Sequence, residues 1–299
     1  MTIFLRLPGI LRKDKGRYPK VKTLKNSNIL VTGGSGGIGS EVCRLISSVG
    51  ATVISVEHSS EMNHMSGVAL ALAADLRRPA EWDRVTAVVL ERFGQLDGLI
   101  HCAGVLIPGT VLTLSVQQLE QMVSGNFLTL LYGIRSVAPV MIRQGSGHIV
   151  TIGSLGGILP MPYEAVYSAT KFAVRGLCLS VSEELKRFGV HVSLISTGPV
   201  ETKMLDTEAH DKKSYIAFMS RSQNPADIAT AVFDVLINPR TEVLFPRLAG
   251  ICASVVSHCP PLFRLLYRYL RPIGEKRQQA YVRKRQHQAP VSTLFQVKS

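Results

Sequence analysis

The run NILVTGGSGGIGSEVCRLISSVGATVISVE, residues 28–57, carries the strongest fold signal in this sequence. Its first five residues are mostly apolar, and a loop with five glycines in seven residues, 33–39, follows them. The segment SEVCRLISSVG then places apolar residues at helical spacing and ends in Gly50, before a second apolar run, ATVISVE. This order of strand, glycine loop, helix and strand predicts a βαβ unit with parallel strands.

The same alternation continues through the central part of the chain. Segments of helical length, such as 80–93, 115–143 and 164–188, separate further apolar runs. The runs of strand length are VALALAADL, DGLIHCAG, HIVTIG, VHVSLIS and TEVLF. Strands that alternate with helices form parallel sheets covered by helices on both faces. We therefore predict an α/β protein with a doubly wound parallel sheet in a single domain, residues 28–245.

Positive charge is concentrated at the two ends of the chain. The net charge is +7 for residues 1–27 and +9 for residues 247–299, whereas residues 28–246 sum to −3. A basic arm (1–27) thus precedes the central domain, and an apolar and basic extension (246–299) follows it. The apolar start of the arm is far too short to span a bilayer and lacks a small-residue cleavage site. It predicts a basic arm on the protein or membrane surface, or alternatively an arginine-rich organellar presequence.

Composition excludes several classes of protein. Apolar residues make up 46% of the 299 residues, which indicates a globular chain rather than a disordered one. The five cysteines form neither a Cys-x-x-Cys pair nor a cluster with histidine at metal spacing. The sequence therefore predicts no metal site and no disulfide framework, and a reducing compartment fits best. We expect a cytoplasmic protein, with organellar targeting by the arm as the open alternative.

The C-terminal extension permits two interpretations. The stretch LAGICASVVSHCPPLFRLLYRYLRP, residues 248–272, is apolar and aromatic, with arginines at 264, 268 and 271. It predicts either a helix that docks on its own domain or a second subunit, or an amphipathic element on an anionic membrane. The remaining residues, GEKRQQAYVRKRQHQAPVSTLFQVKS, predict a basic, mobile tail. Nucleic-acid binding by the basic end is a weaker interpretation, because no recognition module or aromatic stacking platform accompanies it.

The glycine loop follows a predicted strand and opens a predicted helix, which is the setting of a dinucleotide site. Glycines there permit a tight turn and let the backbone approach a pyrophosphate at the helix N-terminus. The spacing alone allows two registers. These are Gly34-x-Gly36-x-x-Gly39 and Gly33-x-x-x-Gly37-x-Gly39.

An acidic residue is expected at the end of the second strand of such a unit, where it binds ribose hydroxyls. Glu57 occupies this place, eighteen residues after Gly39. Its negative charge would repel a 2′-phosphate, so NAD(H) is favoured over NADP(H). His58 keeps the alternative open, because a base in that loop could assist a phosphate.

The segment YEAVYSATKFAVRGLCLSVSEELKRF holds a second functional pattern. Tyr167 and Lys171 are four residues apart in a predicted helix, so their side chains share one face. A neighbouring cation favours the phenolate and is expected to lower the pKa of the tyrosine toward that of a general acid or base. Ser154, thirteen residues before Tyr167, could reach the same site. Tyr163 is an internal control, because the residue four positions later is a tyrosine rather than a cation.

With these elements in order, the sequence resembles the classical form of the short-chain dehydrogenase/reductase family over about residues 28–245. The family has a Rossmann-like fold, and its Thr-Gly-x-x-x-Gly-x-Gly motif selects the register of Gly33, Gly37 and Gly39. The resemblance implies Ser154, Tyr167, Lys171 and Asn126 as the catalytic residues. The cofactor-binding residues that it implies are Gly33, Ser35, Gly37, Ile38, Gly39, Glu57, Asp75, Leu76, Ala103, Gly104, Tyr167, Lys171, Val200 and Thr202.

Two departures from the family pattern stand out. His101 and Cys102 replace the two asparagines of the Asn-Asn-Ala-Gly motif, which puts in doubt the local hydrogen bonds that brace the sheet. Thr197 replaces the proline of the Pro-Gly motif that covers the nicotinamide, while Thr202 remains placed to bind the carboxamide.

The resemblance implies an oxidoreductase that uses NAD(P)(H) and no metal. We expect hydride transfer between nicotinamide and a secondary alcohol or ketone, or an aldehyde, of a lipophilic substrate, as in steroid, retinol or ketosphinganine-type members. A homo-oligomer, dimer or tetramer, and peripheral membrane contact are further expectations. A catalytically silent NAD(P)-binding regulatory protein is the alternative, although intact Ser154, Tyr167 and Lys171 argue against it.

Overall fold

The computed structural model describes residues 24–58 and 66–288. Most of the predicted basic arm, residues 1–23, and the end of the predicted tail, residues 289–299, therefore lie outside the described residues. The predictions made for those two segments stay predictions.

Seven parallel strands form one sheet, in the order β3-β2-β1-β4-β5-β6-β7. Their bounds are β1 Asn28–Thr32, β2 Thr52–Glu57, β3 Leu70–Ala73, β4 Gly98–His101, β5 Gly147–Ser154, β6 Val190–Thr197 and β7 Glu242–Phe245. The strand order reverses direction between β1 and β4, and ligands bind at such a switch point beyond the carboxyl ends of the strands. The predicted doubly wound parallel sheet is confirmed.

Helices connect the strands and cover both faces of the sheet. They are α1 Gly37–Ser48, α2 Pro79–Phe93, α3 Val116–Val123, α4 Thr129–Gln144, α5 Ala165–Lys186, α6 Lys203–His210, α7 Pro225–Ile237, α8 Arg247–Ser257 and α9 Pro260–Gln288. A π-helical turn, Ser124–Leu128, joins α3 to α4, and short 3₁₀ turns lie at Leu155–Gly157 and Ser214–Phe218.

Two apolar cores lie on opposite faces of the sheet. On one face α2, α4 and α5 bury side chains such as Trp82 and Met141 against the strands. On the other face α1 and α7 do the same with Ile46 and Val232. Strands enclosed on both faces need apolar side chains in both directions, which explains why HIVTIG and VHVSLIS are almost continuously apolar.

Residues 116–144, which comprise α3, the π-helical turn and α4, form one helical stretch long and apolar enough to cross a membrane. Half of its most apolar window is buried inside the protein. The stretch packs against α2 and α5. It therefore serves as a core helix of this domain.

The C-terminal extension begins where the sheet ends. The boundary predicted at Phe245 coincides with the end of β7. Helix α8 packs on β7, and α9 packs on α6 and on the turn Ser214–Phe218. Of the two interpretations of this segment, docking on its own domain is thus present in the structure.

Candidate active site

The glycine loop follows β1 and closes tightly over the start of α1. Gly33 has a left-handed backbone with φ of 67°, and a Cβ atom there would lie 3.1 Å from the backbone of Ala103. A Cβ on Gly39 would lie 2.1 Å from the Gly33 carbonyl oxygen, and one on Gly37 would lie 2.6 Å from Thr202 Cγ2. These three positions exclude a side chain for steric reasons, and they are the glycines of the register that the family motif selects.

A cavity of about 770 Å³ opens beyond the carboxyl ends of the strands. It runs from the glycine loop to the start of α5, and its size suits a cofactor together with a substrate. The predicted site residues that line it are Gly33, Ser35, Gly37, Ile38, Gly39, Gly104, Ser154, Tyr167, Lys171, Val200 and Thr202. A glycine-rich loop that leads into a large cavity is a cradle that a dinucleotide fits.

Glu57 lies outside this lining, at the end of β2 behind the glycine loop. Its carboxylate accepts hydrogen bonds from the Ser35 amide at 2.9 Å, from the Ser35 hydroxyl at 2.6 Å and from the Ser55 hydroxyl at 2.8 Å. The side chain is buried. Glu57 therefore braces the glycine loop as well as standing where ribose hydroxyls are expected.

Asp75 and Leu76 also lie outside the lining. The Asp75 carboxylate accepts a bidentate pair of hydrogen bonds from Arg77, at 2.7 and 2.9 Å, and this pairing lowers the pKa of Asp75. Arg77 Nη2 also lies 3.1 Å from His58 Nε2. Leu76 is buried in the core, where its carbonyl accepts from the Trp82 indole at 3.1 Å. The adenine contact expected of Asp75 stays a prediction.

The residues predicted to be catalytic converge from two elements. Ser154 ends β5, and its hydroxyl accepts from the Gly156 amide at 3.0 Å and lies near enough to Tyr167 to act on the pKa of the phenol. Tyr167 and Lys171 lie on the first turns of α5 and face the cavity, as their spacing predicts. Lys171 Nζ lies 5.7 Å from the centre of the Tyr167 ring and donates to the Ile152 carbonyl at 3.2 Å. The carboxyl end of β5 thus anchors both Ser154 and Lys171.

The expected lowering of the tyrosine pKa is wrong for this structure. Burial raises the pKa of Tyr167, and the charge of Glu208 adds to that rise, while the Ser154 hydroxyl opposes it. Lys171 is itself buried, which lowers its pKa to about 8. Its ammonium is bonded to a carbonyl rather than to the phenol, so loss of solvent around the phenol outweighs the nearby cation. Tyr167 therefore holds its proton at neutral pH.

Asn126 lies in the π-helical turn Ser124–Leu128, behind the cavity wall. Its Oδ1 accepts from the Val105 amide at 2.7 Å, and its Nδ2 donates to the Val105 carbonyl at 2.8 Å and to Thr170 Oγ1 at 3.1 Å. A Cβ on Gly104 would lie 3.2 Å from Asn126 Oδ1 and 3.8 Å from Lys171 Nζ. The amide thus fixes the loop after β4 beside Lys171.

The two departures from the family pattern have local replacements. His101 Nδ1 lies 3.0 Å from the Thr32 hydroxyl, and its Nε2 lies 3.4 Å from the Thr129 hydroxyl, so the ring joins β1, β4 and α4. Burial lowers the pKa of His101 to about 3, so this bridge is neutral. At the other position the Thr197 hydroxyl donates to the Gly153 carbonyl at 3.4 Å. Both substitutions keep the sheet braced at the edge that carries the site.

Some residues of the cavity were not predicted from the sequence. Helices α8 and α9 supply one wall, with Ala249, Cys252, Phe263, Leu266, Tyr267 and Leu270. Glu208 on α6 also lines the cavity, and Glu164 is buried nearby, three residues before Tyr167. No local motif marks the residues of α6, α8 and α9, because only the docking of these helices brings them to the site.

Comparison with known proteins agrees with this geometry. The family model for short chain dehydrogenase matches residues 27–213. An oxidoreductase of Staphylococcus epidermidis, itself uncharacterized, is 30% identical over 210 residues, which are 68% of this chain and 89% of that protein. Dehydrogenase/reductase SDR family member 7B of Danio rerio is 26% identical over 276 residues, 86% of this chain and 88% of that protein.

The fold is shared with solved structures. A short-chain dehydrogenase/reductase from Burkholderia phymatum in complex with NAD superposes with a TM-score of 0.68 at 23% identity, over 74% of this chain and 89% of that one. The chain belongs to the short-chain dehydrogenase/reductase family. It is therefore an oxidoreductase of a family that depends on NAD(P).

Proposed function

We propose that this protein transfers a hydride between a nicotinamide cofactor and a secondary alcohol or ketone, or an aldehyde, on a lipophilic substrate. One observation carries the proposal. Ser154, Tyr167 and Lys171 open onto the same cavity as the glycine loop, so the acid/base group and the cofactor cradle face one space.

The residues have distinct tasks in this reaction. The nicotinamide supplies or accepts the hydride when it is bound. Tyr167 gives its proton to the carbonyl oxygen in the reducing direction, and Ser154 holds that oxygen by a hydrogen bond. Lys171 stabilises the phenolate that remains. Among the described residues, no three His, Cys, Asp or Glu side chains gather to hold a metal ion, and the proposed chemistry calls for none.

The lining of the cavity supports a lipophilic substrate. Beyond the catalytic residues its walls are Leu159, Met161 and Met204, together with the aromatic and aliphatic side chains of α9. Such a surface favours ligands with a large apolar area. Steroid, retinoid and long-chain ketones are the candidate classes.

A screen of NADH and NADPH oxidation against those ketones tests the proposal directly. We expect turnover of at least one lipophilic ketone and little turnover of short polar ones. The alternative, a catalytically silent cofactor-binding protein, predicts cofactor binding without oxidation for the whole panel. Binding without turnover would therefore contradict the proposal.

We propose further that the enzyme prefers NAD(H). Glu57 places a carboxylate at the end of β2, where it would repel a 2′-phosphate. The guanidinium of Arg77 lies nearby and could attract a 2′-phosphate. Its Nε and Nη2 atoms, however, already donate to the Asp75 carboxylate. His58 is engaged with Arg77 as well.

A second proposal concerns where the enzyme works. Each helix of the extension has an exposed apolar stripe beside the face that lines the cavity. On α8, Leu248 is 75% and Val255 is 61% exposed, and Ile251 lies between them at helical spacing. On α9 the exposed apolar residues are Leu262, Leu265, Tyr269 and Ile273. A soluble monomer rarely exposes such a stripe on two successive helices.

Charge favours an anionic lipid surface as the partner of these faces. Residues 260–288 carry eight lysines and arginines against one acid, Glu275. Two copies of the chain would bring like charges together, whereas phosphatidylserine headgroups would neutralise them at about 1 kcal/mol per contact. The same helices wall the cavity, so a lipid-soluble substrate would meet the site from the bilayer.

Sedimentation with phosphatidylserine vesicles tests this proposal. Intact protein should pellet at low salt and be released by high salt. The double variant Leu248→Glu, Tyr269→Glu should stay in the supernatant. The control variant Leu112→Glu, at a 95% exposed site outside these two helices, should pellet. A wild-type protein that fails to pellet at low salt would contradict membrane attachment, and a cytoplasmic location would then be the simpler proposal.

We also propose a homo-oligomer that forms through α5. The exposed Phe172 stands on this helix beside the small side chains Ala165, Ala169 and Ala173, which line a shallow apolar depression with Val123. Light scattering should give at least a dimer mass for the wild type and a monomer mass for Phe172→Glu. An unchanged mass in that variant would exclude this surface.

A further inference from the structure

Glu208 differs from the rest of the substrate cavity in its chemistry. Its side chain is 7% exposed, yet it lines a cavity whose other substrate-facing walls are mainly apolar. Burial and the charge of Glu164 raise its pKa well above the ordinary range, and among the described residues neither a hydrogen bond nor a cation acts against that rise. A buried carboxyl group without a partner costs free energy.

The backbone around Glu208 is held in place. Gln278 of α9 donates from Nε2 to the carbonyls of Glu208 and Ala209, each at 3.3 Å, and to that of Asp211 at 2.7 Å. Two residues before Glu208, Asp206 accepts a hydrogen bond from the Tyr281 hydroxyl at 2.8 Å. These contacts fix the last turn of α6, so the backbone of Glu208 keeps its place beside the cavity.

A second buried carboxyl group, that of Glu164, acts on Glu208. It is 2% exposed, and neither of its carboxylate oxygens completes a hydrogen bond, although the Ser214 hydroxyl lies near enough to lower its pKa. Glu208 lines the same cavity as Tyr167, and Glu164 precedes Tyr167 by three residues, so both lie close to the reacting centre, where their charges raise the pKa of Tyr167. Two buried carboxyl groups so close together cannot both ionise readily, and their carbonyl oxygens stand as hydrogen-bond acceptors beside Tyr167.

We infer that Glu208 is a substrate-binding residue whose carboxyl group receives a hydrogen bond from an amino or hydroxyl group near the reacting carbon of an otherwise apolar substrate. This inference rests on the proposed function, because it assigns a feature of the substrate of that same site. Glu164 acts as a positioning residue, since it shares the buried site with Glu208, and a cationic donor bound there would favour the ionised form of the pair. The substrate class is thereby narrowed to apolar chains or rings that carry such a donor.

Binding of unreactive probes tests the inference without turnover. Octylamine, 1-octanol and octyl methyl ether share the alkyl chain, but the ether has no hydrogen to donate. Calorimetric titration of the full-length protein with saturating NADH should show the amine and the alcohol binding about tenfold or more tightly than the ether. Equal affinity of the wild type for all three would overturn the inference.

Two variants separate the contributions. Glu208→Leu should abolish the preference for both donors over the ether. Glu208→Gln should lose the preference for the amine and keep that for the alcohol, because an amide still accepts a hydrogen bond but carries no charge. Glu183→Gln, at an exposed site on α5, should keep both preferences. A preference that survives in Glu208→Leu would overturn the inference.

The outcome is distinguishable from failure of the proposed function. A donor preference that depends on Glu208, in a protein that oxidises no cofactor with any ketone, would contradict hydride transfer and leave the binding subsite standing. Turnover of plain ketones in a protein with no donor preference would support hydride transfer and contradict the binding subsite. The melting temperature and NADH affinity of each variant show whether it is folded.

Discussion

Lys171 Nζ lies 5.7 Å from the centre of the Tyr167 ring, and its hydrogen bond goes to the Ile152 carbonyl at 3.2 Å. The lysine is therefore hydrogen-bonded to β5, two residues before Ser154, rather than to the phenol. This arrangement makes the carboxyl end of β5 the common support of the site. It also explains why burial, not the cation, dominates the pKa of Tyr167.

The glycine loop gives a steric prediction. In Gly39→Ala the added methyl group would lie 2.1 Å from the Gly33 carbonyl oxygen, so the loop must shift. We expect NADH affinity to fall about tenfold or more, because the backbone approach to the pyrophosphate is lost. Fluorescence titration of NADH measures this loss.

Gly176→Ala is the matched control. A Cβ at Gly176 meets nothing within 4 Å, and the residue lies inside α5. NADH affinity should be unchanged, and helix propensity should stabilise the fold by up to about 1 kcal/mol. Wild-type affinity in Gly39→Ala would show that this loop does not hold the cofactor.

Glu57 gives a prediction on cofactor choice. Glu57→Gln keeps an acceptor for Ser35 and removes the charge, so the loop stays braced while repulsion of a 2′-phosphate disappears. The wild type should bind NADH more tightly than NADPH, and Glu57→Gln combined with His58→Arg should shift the ratio toward NADPH by about tenfold. Glu41→Gln, on the outer face of α1, is the control. Tighter binding of NADPH than NADH by the wild type would contradict the argument from charge.

The buried Glu164 gives a prediction on pH and stability. Burial and the charge of Asp211 raise its pKa from 4.5 to about 7, against the opposing effect of Ser214. A carboxyl group whose folded pKa is raised contributes stability that is complete below pH 4.5 and is lost as the pH rises toward about 7. Glu164→Gln cannot ionise, so it escapes this loss.

Thermal unfolding at pH 5 and pH 8 measures the effect. The difference in melting temperature between Glu164→Gln and wild type should be several degrees more positive at pH 8 than at pH 5. Any constant cost of burying the amide cancels in this comparison. The same difference should be flat for the exposed Glu183→Gln. A flat difference for Glu164→Gln would mean that this carboxyl group titrates normally.

The sequence was sufficient for the parts of the fold and site that local patterns encode. Apolar runs marked the strands, and the spacing of Ser154, Tyr167 and Lys171 placed three candidate catalytic groups on two elements that meet at one edge. The pKa of Tyr167 could not be predicted from the sequence, because desolvation depends on all the groups packed around the phenol. The same holds for Glu208, which reaches the cavity only because α9 holds α6 in place.

Substitution of Tyr167 tests the central claim most directly. Tyr167→Phe keeps the packed ring and removes the proton that the reaction exchanges, while Tyr163→Phe makes the same change at a tyrosine outside the cavity. Hydride transfer is followed by nicotinamide absorbance under saturating cofactor, with a ketone that the wild type reduces. We predict a rate at least about 100-fold lower for Tyr167→Phe, with cofactor affinity retained, and a nearly unchanged rate for Tyr163→Phe. A rate for Tyr167→Phe within about threefold of wild type would contradict the assignment of Tyr167 as the catalytic acid.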